Sequence, residues 1–214
     1  EDIVPQELIS YSEAVKMAFD RIAQNEVVSS WKDAFASSKI NTELMEFIKV
    51  PTHGCYMDKR TSIFKRDRSE VLQNIWKIGG DRGWYYWNFL WKLRGYMDKA
   101  VGGVGLRRGR RSPDQLVAGD SLDFWRVLIA DKKEGRLLLF AEMKLPGEAW
   151  LEFKLSKNEE GENRITQTAT FRPHGLYGRL YWYSIFVFHE FIFNGMMNKI
   201  INYQEKEKEP VGIV

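Results

Sequence analysis

Residues 149–172, AWLEFKLSKNEEGENRITQTATFR, alternate apolar and polar side chains twice over, once on each side of a polar turn. Ala149, Leu151, Phe153 and Leu155 stand against Trp150, Glu152 and Lys154. Beyond the turn at Asn158–Asn163, Ile165, Gln167, Ala169 and Phe171 stand against Thr166, Thr168 and Thr170. A period of two sends each set to one face of a strand, so the stretch reads as an antiparallel hairpin with one face buried. Upstream, Arg136–Leu145 and Ser121–Ala130 are two more apolar runs, separated by turns at Pro146-Gly147 and Asp131–Gly135. Four strands joined by short turns make a meander. Downstream, Pro173-His174-Gly175 ends the sheet, and a long helix is expected to about Tyr203.

The rest of the chain supplies elements before the meander. Tyr56, Asp58, Arg60, Ser62 and Phe64 alternate on one face of a first strand, and Asp67 heads a helix with Val71, Leu72, Ile75, Trp76 and Ile78 as its stripe. A second, aromatic helix is expected over about Gly83–Val101, with Trp84, Trp87, Trp91 and Arg94 along one face. Near the N-terminus, Ser10-Tyr-Ser-Glu13 and Ser30-Trp-Lys-Asp33 have the spacing of capping boxes. The order is strand, two helices, meander, long helix. A curved sheet must cover one face, and only the last helix is long enough. The fold class is therefore α+β, with a curved antiparallel sheet wrapped on the C-terminal helix and a cavity between them. Residues 1–46 form a helical extension, 47–203 the main domain and 204–214 a charged tail.

Composition narrows the function classes. The chain has 214 residues and a formal net charge of +3, too weak a field to argue for nucleic acid. Aromatics reach 14% with eight Trp, enough to build either a large core or an apolar cavity wall. A single cysteine, Cys55, excludes an internal disulfide framework and points to a reducing, cytoplasmic setting. Leu180–Met197 is the one candidate membrane span. His189 and Glu190 at its centre favour a buried amphipathic helix instead. The three histidines are far apart in sequence, so no metal site is expected.

Five segments carry a resemblance: GDRGWYYWNFLWKLRGYMDKAVGGVGLRRGRR, GDSLDFWRV, LLLFAEMKLPGEAWLEF, QTATFRPHGLYGRLYWY and FHEFIFNGM. They resemble a domain family fused behind NAD(P)-binding, short-chain-dehydrogenase or epimerase-like domains. That family is grouped with the START, polyketide-cyclase and birch-pollen-allergen-like (SRPBCC) superfamily. The resemblance spans about residues 50–202 and implies the same helix-grip fold. It further implies that residues 1–46 join this domain to an upstream NAD(P)-binding domain. The missing initiator Met fits that expectation. No cofactor is expected in this chain itself, which lacks both GxGxxG after a strand and a Walker loop.

Candidate site residues fall into three sets. Trp84, Trp87, Trp91, Trp125, Trp150 and Phe186 are expected to line the cavity. Arg107, Arg108, Arg110 and Arg111, set among glycines, are expected to hold an anion at its mouth, against the alternative of a solvated basic loop. His189, Asp123 and Glu142 are the weak catalytic candidates, against a satisfied core histidine and cross-strand ion pairs. The first reading is a binding domain for a small apolar or amphipathic molecule, with a cavity of roughly 300 Å3 or more. The second makes the domain the substrate pocket of a fused NAD(P)-dependent enzyme. The third makes the aromatic helix an interdomain or homodimer interface, favoured if Trp84 and Trp87 are exposed.

Overall fold

In a computed structural model of the chain, residues 10–13, 48–105, 110 and 112–204 are described. The chain divides into two compact units, Glu1–Lys39 and Ile40–Val214. In the first, Ser10–Glu13 forms the expected capping box. The Ser10 amide donates to Glu13 Oε2 at 3.1 Å and the Glu13 amide to Ser10 Oγ at 3.3 Å. The second expected box, Ser30–Asp33, lies outside the described residues.

The second unit holds strand β1 (Tyr56–Phe64), helices α1 (Arg68–Trp76) and α2 (Asn88–Ala100), strands β2 (Ser121–Leu122), β3 (Trp125–Asp131), β4 (Arg136–Ala141), β5 (Gly147–Lys157) and β6 (Asn163–Pro173), and helix α3 (Gly175–Asn202). The six strands form one antiparallel sheet in the order β1-β6-β5-β4-β3-β2. β1 therefore joins the far edge of β6, with Tyr56 opposite Phe171 and Phe64 opposite Asn163. This is the expected α+β helix-grip order, and α3 packs on β6 and β1. None of the described helices is long and apolar enough to cross a membrane.

Alternation assigns the two faces of the sheet. Leu151, Phe153, Leu155, Ile165, Ala169 and Phe171 are buried on the helix side, as the period of two requires. A bulge between Val127 and Ile129 shifts the β3–β4 register by one residue. Trp125 and Val127 thus face the helices, while Ile129 joins Leu138 and Trp150 in a separate apolar cluster on the outer face. Ile48, Val50 and Phe140 pack against that cluster.

The C-terminal half of α3 is held by α1. Asn74 is buried and its Nδ2 donates to the Ile200 and Tyr203 carbonyls at 2.8 and 3.1 Å. These bonds satisfy acceptors that a helix end leaves open. Phe193, Met196, Met197, Ile200 and Ile201 fill the core there.

The aromatic helix starts later than its sequence pattern implies, at Asn88 rather than about Gly83. Asn88 Oδ1 accepts from the Trp84 amide at 2.8 Å, a local side-chain bond that competes with the helix. Tyr85 and Trp87 take left-handed backbone, with φ of 64° and 49°. Trp84 and Trp87 consequently leave the face that Trp91 and Arg94 share.

Candidate functional site

A partly open cavity of about 70 Å3 lies between α2, α3 and the helix side of β5 and β6. α2 contributes Leu90, Trp91 and Arg94, which helical spacing puts on one side; α3 contributes Trp182, Ile185, His189, Ile192 and Phe193. Ala149, Leu151, Ala169 and Phe171 form the floor, and Trp125 reaches in from β3. The expected volume was roughly 300 Å3 or more, so the space is much smaller than anticipated. It takes a few waters or one end of a ligand. Close packing of the tryptophans takes up the difference: the Trp84 and Trp91 rings stack at 4.7 Å, and Trp91 stacks on Phe124 at 6.0 Å.

The wall is apolar, and three of its residues carry a nitrogen that is buried without a strong partner. Trp91 Nε1, Trp125 Nε1 and His189 Nδ1 are buried with no hydrogen bond. Buried donors of this kind ordinarily find an acceptor. His189 Nδ1 does lie 3.4 Å from Asp58 Oδ2, a contact too long and too poorly directed for a good hydrogen bond but close enough for electrostatic attraction. Around the His189 ring, Trp182 and Phe193 pack at 5.2 and 4.4 Å between centroids.

Asp58 anchors a charged group beside this end of the cavity. Arg60 Nη2 lies 3.0 Å from both Asp58 Oδ2 and Glu190 Oε2. Burial would raise the Asp58 pKa, but the facing His189 imidazole and the hydrogen-bonded Arg60 guanidinium outweigh it and hold the carboxyl below its ordinary value. Gln167, opposite Arg60 in the β1–β6 register, is 1% exposed, and both its side-chain polar atoms are unpaired.

Of the six expected lining residues, Trp91 and Trp125 border the cavity through their rings' side of the fold. Trp150 occupies the floor by its place in β5, but its ring belongs to the outer cluster and meets Phe140 at 5.5 Å. Trp84 is 2% exposed in the core behind Trp91, with Nε1 donating to Asp123 Oδ2 at 2.8 Å. Trp87 is 40% exposed against Tyr86 and Phe89. Phe186 is 45% exposed at the edge, touching Trp182 and His189. The proposed sign of an interface, exposure of both Trp84 and Trp87, is met by Trp87 alone.

The catalytic candidates also separate. Asp123 is committed to Trp84, and burial raises its pKa despite that hydrogen bond. Glu142 pairs with Arg126 at 3.1 Å on the outer face. His189 alone borders the cavity. Among the arginines, Arg107, Arg108 and Arg111 lie outside the described residues. Arg110 is a structural tie rather than a gate: its guanidinium donates to the carbonyls of Ile78, at 2.7 Å, Trp76 and Ser112. Sequence reasoning missed Arg94 and Asp58 as site residues. Arg94 was legible as the polar member of the Trp91 face; Asp58 was legible only as the lone acid on the inward side of β1.

The glycine cluster after α2 has a structural role. Asp98 is buried, and its carboxylate accepts from the amides of Gly105 at 2.8 Å and Lys144 at 2.7 Å. A Cβ on Gly103 would fall 2.0 Å from Asp98 Oδ1, so only glycine lets the loop pass that close.

The family described as "Protein of unknown function (DUF2867)" matches residues 53–196, and the chain belongs to it. No curated protein matches in sequence. Among solved structures, norcoclaurine synthase from Thalictrum flavum, in complex with dopamine and hydroxybenzaldehyde, superposes with a TM-score of 0.42 at 6% identity, covering 71% of this chain and 90% of that one. Ara h 8.0201 gives 0.37 at 9%, covering 70% of this chain and 100% of its own. A Thermobifida fusca protein gives 0.35 at 10%, covering 72% and 99%.

Proposed function

We propose that this domain binds a small apolar or amphipathic molecule, one end of which enters the cavity between α2, α3 and the sheet. The observation that carries the reading is an apolar space between the helices and the sheet, lined by Trp91, Trp125, Ala169, Phe171 and Trp182. An apolar group entering it would gain roughly 25 cal/mol per Å2 of surface removed from water. With room for about 70 Å3, the remainder of a longer ligand would lie outside the cavity.

The test is native mass spectrometry on freshly purified protein, followed by titration with six-carbon alcohols, amides and acids, monitored by tryptophan fluorescence. Saturable binding, weakened at least tenfold by Ala169→Leu, is the expected result. Ala169 forms the floor, so leucine there fills the space. Absence of binding to every compound would overturn the reading.

One observation favours a second reading, in which this cavity is the substrate pocket of a fused NAD(P)-dependent enzyme. His189 borders the cavity with Nδ1 facing a buried carboxylate, an arrangement that orients an imidazole for proton transfer. In the longer protein, His189→Gln would then lower turnover with little change in ligand affinity.

A further inference from the structure

The cavity holds a guanidinium with no carboxylate to match it. Arg94 lies one turn from Trp91 on α2 and is half-buried. Its Nη2 donates to Tyr181 Oη at 2.6 Å and its Nε to Met143 Sδ at 3.1 Å. Both acceptors are neutral, and a thioether is a weak one. Burial pushes the Tyr181 phenol up against the pull of Arg94, so it keeps its proton and supplies no counter-charge. Several other partly buried arginines are matched to an acid. Arg60 has Asp58 and Glu190, Arg126 has Glu142, and Arg136 has Glu152. Arg110, with burial lowering its pKa, is spent on three carbonyls. A partly desolvated cation is costly unless an anion or several good acceptors complete its fork.

Resting on the cavity reading above, we propose that Arg94 is the anchor for a carboxylate, and that the ligand is an amphipathic acid with its apolar end among Trp91, Trp125, Ala169 and Phe171. The guanidinium fork matches a carboxylate bidentately. Orientation follows from the second polar end. His189 lies eight residues along α3 from Tyr181, about 12 Å at 1.5 Å per residue, and Asp58 on β1 lies against it. A ligand carboxylate at Arg94 is thereby kept away from the Asp58 carboxylate, and the reverse orientation would set two anions together.

The experiment titrates hexanoate, hexanamide and hexylammonium into the wild-type domain by calorimetry, then repeats the first two with Arg94→Gln and Arg94→Lys. Hexanoate should bind at least tenfold more tightly than hexanamide, with hexylammonium weakest. R94Q should erase the preference for the acid, and R94K should restore part of it. Equal affinities for acid and amide in the wild type, or a preference that survives R94Q, would overturn the anchor and leave the cavity reading standing. If neither compound binds, both readings fall. Because the wild-type series reads the charge preference by itself, the outcome is decided even if R94Q fails to fold.

Discussion

The two halves of α3 are both rich in apolar residues but have opposite surroundings. From Phe193 to Ile201 the helix turns a tight apolar stripe into the core, and Asn74 ties down its last carbonyls. From Leu176 to Phe191 it exposes Leu176, Tyr177, Leu180, Tyr183, Val187 and Phe191, and its covered side faces a cavity. A helix apolar on most of its circumference is normally covered. The C-terminal half is therefore placed for stability, and the N-terminal half carries more apolar surface than stability of this domain uses. The expectation of a buried amphipathic helix over Leu180–Met197 holds for its C-terminal part and fails for the rest.

Several substitutions would sharpen or break that contrast. The largest effect should come from Ile200→Ala, which opens a void in a fully buried site and should cost about 2–5 kcal/mol by denaturant unfolding. Hexanoate affinity of the folded fraction should stay unchanged; a parallel loss of binding would mean the halves are not separable. Asp58→Asn, at the junction of the halves, should cost about 3 kcal/mol at neutral pH, because it removes the buried partner of Arg60 and His189. The Asp58 pKa is lowered on folding, so its contribution is present above the unfolded value near ~3.9 and is lost as pH falls through the folded value. The gap between wild type and D58N should therefore close below about pH 4, and a gap independent of pH would refute the charge argument.

The well-packed side has one fault of its own. Asp123 sits at a φ of 54° with its pKa raised by burial, so the folded state disfavours its charge. Here the sign reverses: the contribution of Asp123 is best below the unfolded value and is lost as pH rises through the folded one. Asp123→Asn keeps an acceptor for Trp84 Nε1, suits the left-handed backbone and should add about 1 kcal/mol at pH 7. That gain should vanish in thermal melts below about pH 4. The smallest effect belongs to the exposed half. Val187→Ser should change stability by less than about 0.5 kcal/mol, and a larger loss in the isolated domain would show that this face is covered after all.

How much of this was legible depended on what the local pattern encodes. Period-two alternation located β1, β5 and β6 within a few residues, because the burial of one face writes directly into the sequence. It also sent Glu142 away from the cavity once the outer face was known. The tryptophans were harder. Helical spacing grouped Trp84, Trp87 and Trp91, yet a single Asn88 bond delayed the helix and split the group. The position of Trp150 was readable from alternation, since it opposes Leu151 and Ala149, but its assignment to the cavity ignored that the outer face has an apolar cluster too.

The amino-acid sequence by itself determined the order of elements, the inward face of each long strand and the α+β class, all of which follow from local periodicity and turn chemistry. Only the tertiary structure decided which aromatics pack solid and which border a space, and that Arg110 is spent on carbonyls while Arg94 has no acid beside it. The reason is physical. Periodicity specifies a face, whereas a cavity and an uncompensated charge depend on where separate elements meet, and those distances are set by packing across the whole domain.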